Sequence, residues 1–379
     1  MTLLDRNLAE PHFVDRDAEA ITRDMVRQYE ELTGLTLYPA QAERLMVNIV
    51  AYRDKLMREA IQDAAKLNLV RYSRGVILDL LGENIGVARL GAAPAECTLR
   101  FTFDPIPLAG AILPAGTRVG TSGAGGTQLV FATANDALVA AGVATVDVKA
   151  ICETSGAAGN GFVAAQIARL ISAQPVGLKI KTVANTDTSN AGADVEDDDH
   201  LRRRIVLAPE QFSNCGSLEA YEFFALGANA GIIDVTVTSP EPGLVHVHAL
   251  MATGLPGPAV LAQVLAECNG ERRRPLCDTV VALAPVVRPF DLVVELTLYE
   301  GADAATAQVQ AQQAALAYVQ RIQAQLGVDV VPSQIKTALD VYGVYRVNVI
   351  EPAAVLVIEP NEWPQVGALT VSVVGLAEG

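Results

Sequence analysis

The sequence predicts an α+β protein of several domains: a helical N-terminal region, a small β domain and two α+β units in tandem. Three observations lead there. The chain has 379 residues, more than the ~100–200 of one ordinary domain. The stretch between Pro39 and Gly75 contains neither glycine nor proline and steps its apolar residues in helical register. From Cys97 onward the spacing changes to strand-like alternation, CTLRFTF being the first case.

Each element follows in order. An amphipathic segment runs from roughly Asp17 to Leu32. After it comes a helix of ~30 residues, ~45 Å long, with Leu45, Ile49, Tyr52, Leu56, Ala60 and Leu67 on one stripe. A helix longer than one small domain needs packs in a bundle or against another chain, so these six residues are expected to form a subunit interface. RGVILDLLGENIGVARL, with Gly82, Gly86 and Gly91, predicts a further short helix. The helical region is taken as residues 1–93. LPAGTRV, GVATVDVKAICE and the SGAAGNG turn predict a β domain over 94–190. Helices from Val195 and Leu218, then IIDVTVTS and LVHVHALM facing across Pro240-Glu241-Pro242-Gly243, predict an α+β domain over 191–286. It continues through a helix at Ala259–Glu267 and the strand DTVVALAPVV. Residues 287–379 repeat the mixture: strand DLVVELTLYE, a helix from Ala302 to Leu326, another opened by Pro332-Ser333, then strands.

Composition excludes several function classes. A formal charge of -15 opposes nucleic-acid binding, which needs clustered Lys and Arg, and adhesion to anionic membranes. No uncharged apolar run reaches the ~20 residues of a membrane span, and MTLLDRNLAEPHFVDRD is not a secretory signal. Five thinly spread cysteines (Cys97, Cys152, Cys215, Cys268, Cys277) match no disulfide framework and suit synthesis in a reducing cytoplasm. A single tryptophan, Trp363, leaves little for stacking sugars or bases.

The acid-rich run Asp194–Asp199 precedes Arg202–Arg204. As a calcium loop it fails, since Ala191 and Asp198 stand where a ligand oxygen and a glutamate belong. As a helix start it works: Asp194 is a good N-cap, and Asp198–Arg202 and Asp199–Arg203 are i,i+4 pairs. His246 and His248 share a strand face, and a catalytic metal site dispersed in sequence could draw on residues such as these two and Asp199. His12 and His200 lack supporting spacing, so the expectation is no metal, no cofactor and no catalytic residue. GTSGAGGTQ (Gly120–Gln128) completes no phosphate loop, Cys215 in SNCGS is read as structural, and Arg272–Arg274 as a solvated or subunit-facing turn.

Several of these motifs, in order, resemble the baseplate J-like proteins of contractile phage tails and related injection machines. They are LDLLGENIGVARL (Leu78–Leu90), LPAGTRV (Leu113–Val119) and SGAAGN (Ser155–Asn160). NAGADVEDDDHLRRRI (Asn190–Ile205) is similar to the family's N-G-G-x-D-x-E-x-D-x-x-L-R-x-R-I stretch, with Ala191 in place of a glycine. DVTVTSPEPGLVHVHAL (Asp234–Leu250) and RPLCDTVVALAP (Arg274–Pro285) complete the order. The resemblance covers roughly residues 70–300. It implies a non-enzymatic wedge subunit that pairs with a second copy and a smaller baseplate wedge subunit through the helical region. It further implies six wedges in a ring around the hub, in a virion or tailocin baseplate. The rival expectations are a metal-dependent enzyme built on His246 and His248, and a tail-tip module gripping a surface sugar.

Overall fold

The computed structural model describes residues 9–121, 128–212, 216–270, 273–275 and 277–378. It divides into two compact units, one made of the chain up to Arg89 with Asp198–Ala208, the other of Leu90–Asp197 with the chain from Pro209 on.

In the first unit, α1 (Ala18–Thr33) starts where Asp17 accepts the Glu19 N–H at 2.9 Å and stops at Gly34, whose φ of 69° suits glycine. It packs on α2 (Ala42–Leu67) through Ile21, Val26 and Ala51. Gln62 is buried in α2, accepts the Phe13 N–H at 2.9 Å and donates to Pro11 O at 2.6 Å, anchoring the segment that leads into α1. α3 (Gly75–Glu83) follows and meets a helix that returns from far along the chain, Asp198–Leu207. A Cβ on Gly82 would lie 2.5 Å from Val87 O and 3.2 Å from Ile205 Cδ1, so glycine there permits the contact. The helical region is thus built from two stretches of sequence.

The second unit opens with a barrel. Its strands are β1 (Pro94–Phe103), β2 (Ala111–Leu113), β3 (Arg118–Thr121), β4 (Val130–Thr133), β5 (Ala137–Val139), β6 (Thr145–Ser155), β7 (Ile167–Leu170) and β8 (Ile180–Asn185). Six of them form an antiparallel sheet in the order β7-β3-β4-β6-β1-β8, and β7 lies alongside β8, nearly closing it. β1 alternates as its sequence predicts: Leu99, Phe101 and Phe103 point into the core. β2 and β5 pair separately.

The helix Asp198–Leu207 of the first unit is α4. The second unit resumes with α5 (Leu218–Leu226), capped by Ser217, then β9 (Ile232–Glu241), β10 (Leu244–Met251), α6 (Pro258–Cys268) and β11 (Thr279–Leu283). The sheet order is β11-β10-β9, β9 and β10 forming the expected hairpin and β11 lying parallel to β10 after the α6 crossover. The turn is tighter than expected, because β9 runs on through Pro240 and Glu241. DTVVALAPVV is not one strand: it breaks at Ala284-Pro285, since proline cannot extend the ladder.

β12 (Val286–Tyr299) opens the last layer, with α7 (Ala304–Gln323), α8 (Pro332–Leu339), β13 (Val344–Glu351) and β14 (Glu362–Ala377). Its sheet is β13-β12-β14, covered by Ala307, Ala311, Ala315, Val319 and Ile322 of α7. Leu250 of β10 packs with Leu326 and Trp363, tying the last two sheets together.

Candidate subunit interface

The six stripe residues fall on one helix, α2. Leu45, Ile49, Tyr52 and Leu56 are 44–64% exposed, Ala60 is exposed and Leu67 half-buried at the helix end. Met46, Val50, Met57 and Ile61, also exposed, lie beside them. At ~100° per residue the two rows cover roughly half the helix circumference. Ala51 and Gln62, which face α1 and its lead-in segment, lie on the opposite side. α2 therefore has two faces of different fate, one packed through Ala51 and Gln62 and one apolar and open. Reading the stripe as a single row missed the second row; its signal was the pairs Leu45-Met46, Ile49-Val50 and Leu56-Met57.

The acid run does something other than start a helix at Val195. α4 begins at Asp198, and Asp194 is not its cap. Asp194 Oδ1 accepts the Ala157 N–H at 3.0 Å, and the buried Glu196 accepts the Leu90 N–H at 2.8 Å. Asp198 accepts the Gly75 N–H at 3.0 Å and the Arg89 guanidinium at 2.6 Å, and these hold its carboxyl below the usual range, the Gly75 bond first. Arg202 salt-bridges Asp199, three residues away, and donates to Val70 O and Ser73 O. The carboxylates satisfy backbone N–H groups of remote segments, which local sequence spacing does not reveal.

The SGAAGN turn and the start of NAGADVEDDDHLRRRI clasp each other. Asn160 of SGAAGN donates to Gly192 O at 2.7 Å and accepts the Gly192 N–H at 2.8 Å. Ser189 Oγ donates to Gly159 O at 2.7 Å and accepts the Phe162 N–H at 3.0 Å. A Cβ on Gly192 would lie 2.5 Å from Gly156 O, so only glycine allows this approach.

His246 and His248 stack edge to face with ring centroids 6.1 Å apart. His248 is buried, and burial lowers its pKa. Among the described residues no group of three or more His, Cys, Asp or Glu is placed to hold a metal ion. Cys97 and Cys268 are buried, their thiols pushed up to about 12 chiefly by desolvation; Cys277 is exposed. A cleft of about 780 Å³ beside the start of α7 holds Glu300, Asp303 and Asp340 but no histidine, cysteine or lysine. Arg273 salt-bridges Glu267 and covers the Phe224 ring at 5.0 Å. Cys215, Arg272 and most of GTSGAGGTQ lie outside the described residues. Among the described residues no helix is long and apolar enough to cross a membrane.

Four family models match the chain in order: the baseplate J-like N-terminal domain at residues 44–96, barrel domain at 98–192, central domain at 213–284 and C-terminal domain at 290–372. Baseplate protein J of Escherichia phage P2 is 33% identical over 170 residues, which is 44% of this chain. The match spans only 56% of that relative's own length. The solved anti-feeding prophage baseplate contains a chain similar to this one at a TM-score of 0.40 and 12% identity, over 92% of this chain and 90% of that one. With one family's four domains matched in sequence over most of its length, the chain belongs to the baseplate J-like protein family.

Proposed function

We propose that this chain is a structural, non-enzymatic wedge subunit of a contractile-tail baseplate, in a phage virion or a tailocin. Two copies associate with a smaller wedge subunit through the open face of α2. Six such wedges form a ring around the hub and pass on the contraction trigger. The observation that carries the reading is the apolar half of α2 left facing outward, opposite the side packed on α1. Fully burying a Leu, Ile or Met side chain contributes ~1.5–3 kcal/mol, so Leu45, Ile49, Leu56 and their neighbours suffice for a tight helical junction. Family membership supports the setting. The division at residues 94, 191 and 287 belongs to the same proposal, and the family-model limits run close to it.

The test is co-expression with the products of adjacent reading frames, followed by light scattering. Ile49→Asp/Leu56→Asp is expected to abolish co-assembly, a loss of at least ~100-fold in affinity, while the rest of the chain stays folded. Unaltered assembly would remove α2 from the account. A metal-bound monomer indifferent to its neighbours would sink the wedge reading.

A further inference from the structure

One end of the barrel, where β1 finishes at Phe103 and β6 and β8 begin at Thr145 and Ile180, is built from three converging segments. The Gly142 N–H donates to Pro107 O at 2.8 Å, the Phe103 N–H to Ala144 O at 2.8 Å and the Asp104 N–H to Lys179 O at 3.1 Å. A Cβ on Gly177 would lie 3.5 Å from that of Ala111. Ile112 faces Leu138 across the β2–β5 pair. Residues 105–117, 137–146 and 170–178 contain no Asp, Glu, Lys or Arg, and Asp136, whose Oδ1 accepts the Ala115 N–H at 2.7 Å, stands at their edge. On them Leu108 and Val176 are 96% and 97% exposed, and Ile106, Ile112 and Leu138 are exposed beside them.

We propose that this barrel end is a contact between two copies of the chain, meeting face to face about a two-fold axis. It rests on the reading above only in that copies are assembled side by side. Charge selects the occupant. Two copies of a chain of charge -15 repel, and an uncharged face is where identical surfaces can approach. The rim is self-complementary: Asp104 and Lys181, 2.8 Å apart and both more than half exposed, present opposite charges that two copies can exchange. The five named side chains expose on the order of 650 Å² per copy, or ~1,300 Å² across a pair, within the ~1,200–2,000 Å² of stable interfaces. A lipid surface fits less well, because the five exposed side chains include no aromatic and the chain is strongly acidic.

The test uses the full chain carrying Ile49→Asp/Leu56→Asp, so that the helical junction is silent, with mass followed against concentration by sedimentation equilibrium. A dimer is expected. Adding Leu108→Asp/Val176→Asp should raise its dissociation constant at least ~tenfold with an unchanged far-UV spectrum and Tm, since both side chains are already exposed. The proposal is overturned by a monomer up to ~100 μM, or by a dimer indifferent to the added aspartates. It is equally overturned if the chain floats with phosphatidylcholine vesicles through Leu108 and Val176 without dimerising. If Ile49→Asp/Leu56→Asp leaves co-assembly intact, α2 drops out of the wedge junction and the barrel contact is judged separately on Leu108 and Val176.

Discussion

Asn160 holds two segments together with one amide. Its two bonds to Gly192 mimic a strand pair, and both peptide groups of Gly192 depend on it because the residue is buried. Removing a side chain and leaving a buried donor and acceptor unpaired costs more than the bonds contribute net. Asn160→Ala is therefore expected to destabilise the second unit by ~2–4 kcal/mol, measured by urea denaturation; a loss below ~0.5 kcal/mol would mean that water replaces the amide. Next to Gly192, Ala191 is buried at φ 70°, a conformation that costs an L-residue ~1 kcal/mol or more. It occupies the position where the family resemblance led one to expect glycine. His248 is the other sensitive residue. Burial depresses its folded pKa below 6.5, so the unfolded chain takes up a proton first as pH falls. The stability it contributes is complete above ~6.5 and is lost as pH falls from there through the folded value. Wild-type stability should decline as pH falls below ~6.5, and His248→Gln should flatten that decline; an unchanged slope would assign it to other groups.

At the scale of elements, α4 shows a helix whose first residue is held by tertiary contacts. Asp198 lies at its first residue and accepts from Gly75 and Arg89, and this depresses the folded pKa below 3.8. Its contribution is present above ~3.8 and disappears as pH falls through the folded value. Asp198→Asn should lower the Tm of the first unit at pH 7 and weaken its acid dependence below ~4, followed by helical circular dichroism. Equal losses at pH 7 and pH 3 would show that the carboxylate's charge is not what matters. α2 is the complementary case: its length and periodicity are set locally, and its packed face is the one that meets α1.

For the whole molecule, exposed apolar residues gather on the open side of α2 in the first unit and on the barrel end in the second. On the two proposals above, the acidic chain associates at these surfaces, and its surplus acids keep the remaining surface from sticking. Substitution at His246 and His248 touches neither surface. His246→Gln/His248→Gln should leave the co-assembled mass unchanged by light scattering, and loss of assembly would revive a site on β10.

The sequence by itself determined the α+β class, the long helix and its stripe, the alternation of β1 and the β9–β10 hairpin. These depend on period and turn chemistry within a few residues, which local sequence records. Family membership was legible too, because turn glycines and the acid-rich run recur in order. Only the tertiary structure decided where the acids of Asp194–Asp199 point. It alone returned α4 to the helical unit, joined Asn160 to Gly192 and split DTVVALAPVV between two sheets. A carboxylate or amide satisfies whichever N–H the fold brings within 3 Å or so, and that partner can lie a hundred residues away. The uncharged barrel end was invisible for the same reason: three neutral loops look ordinary until folding gathers them on one surface.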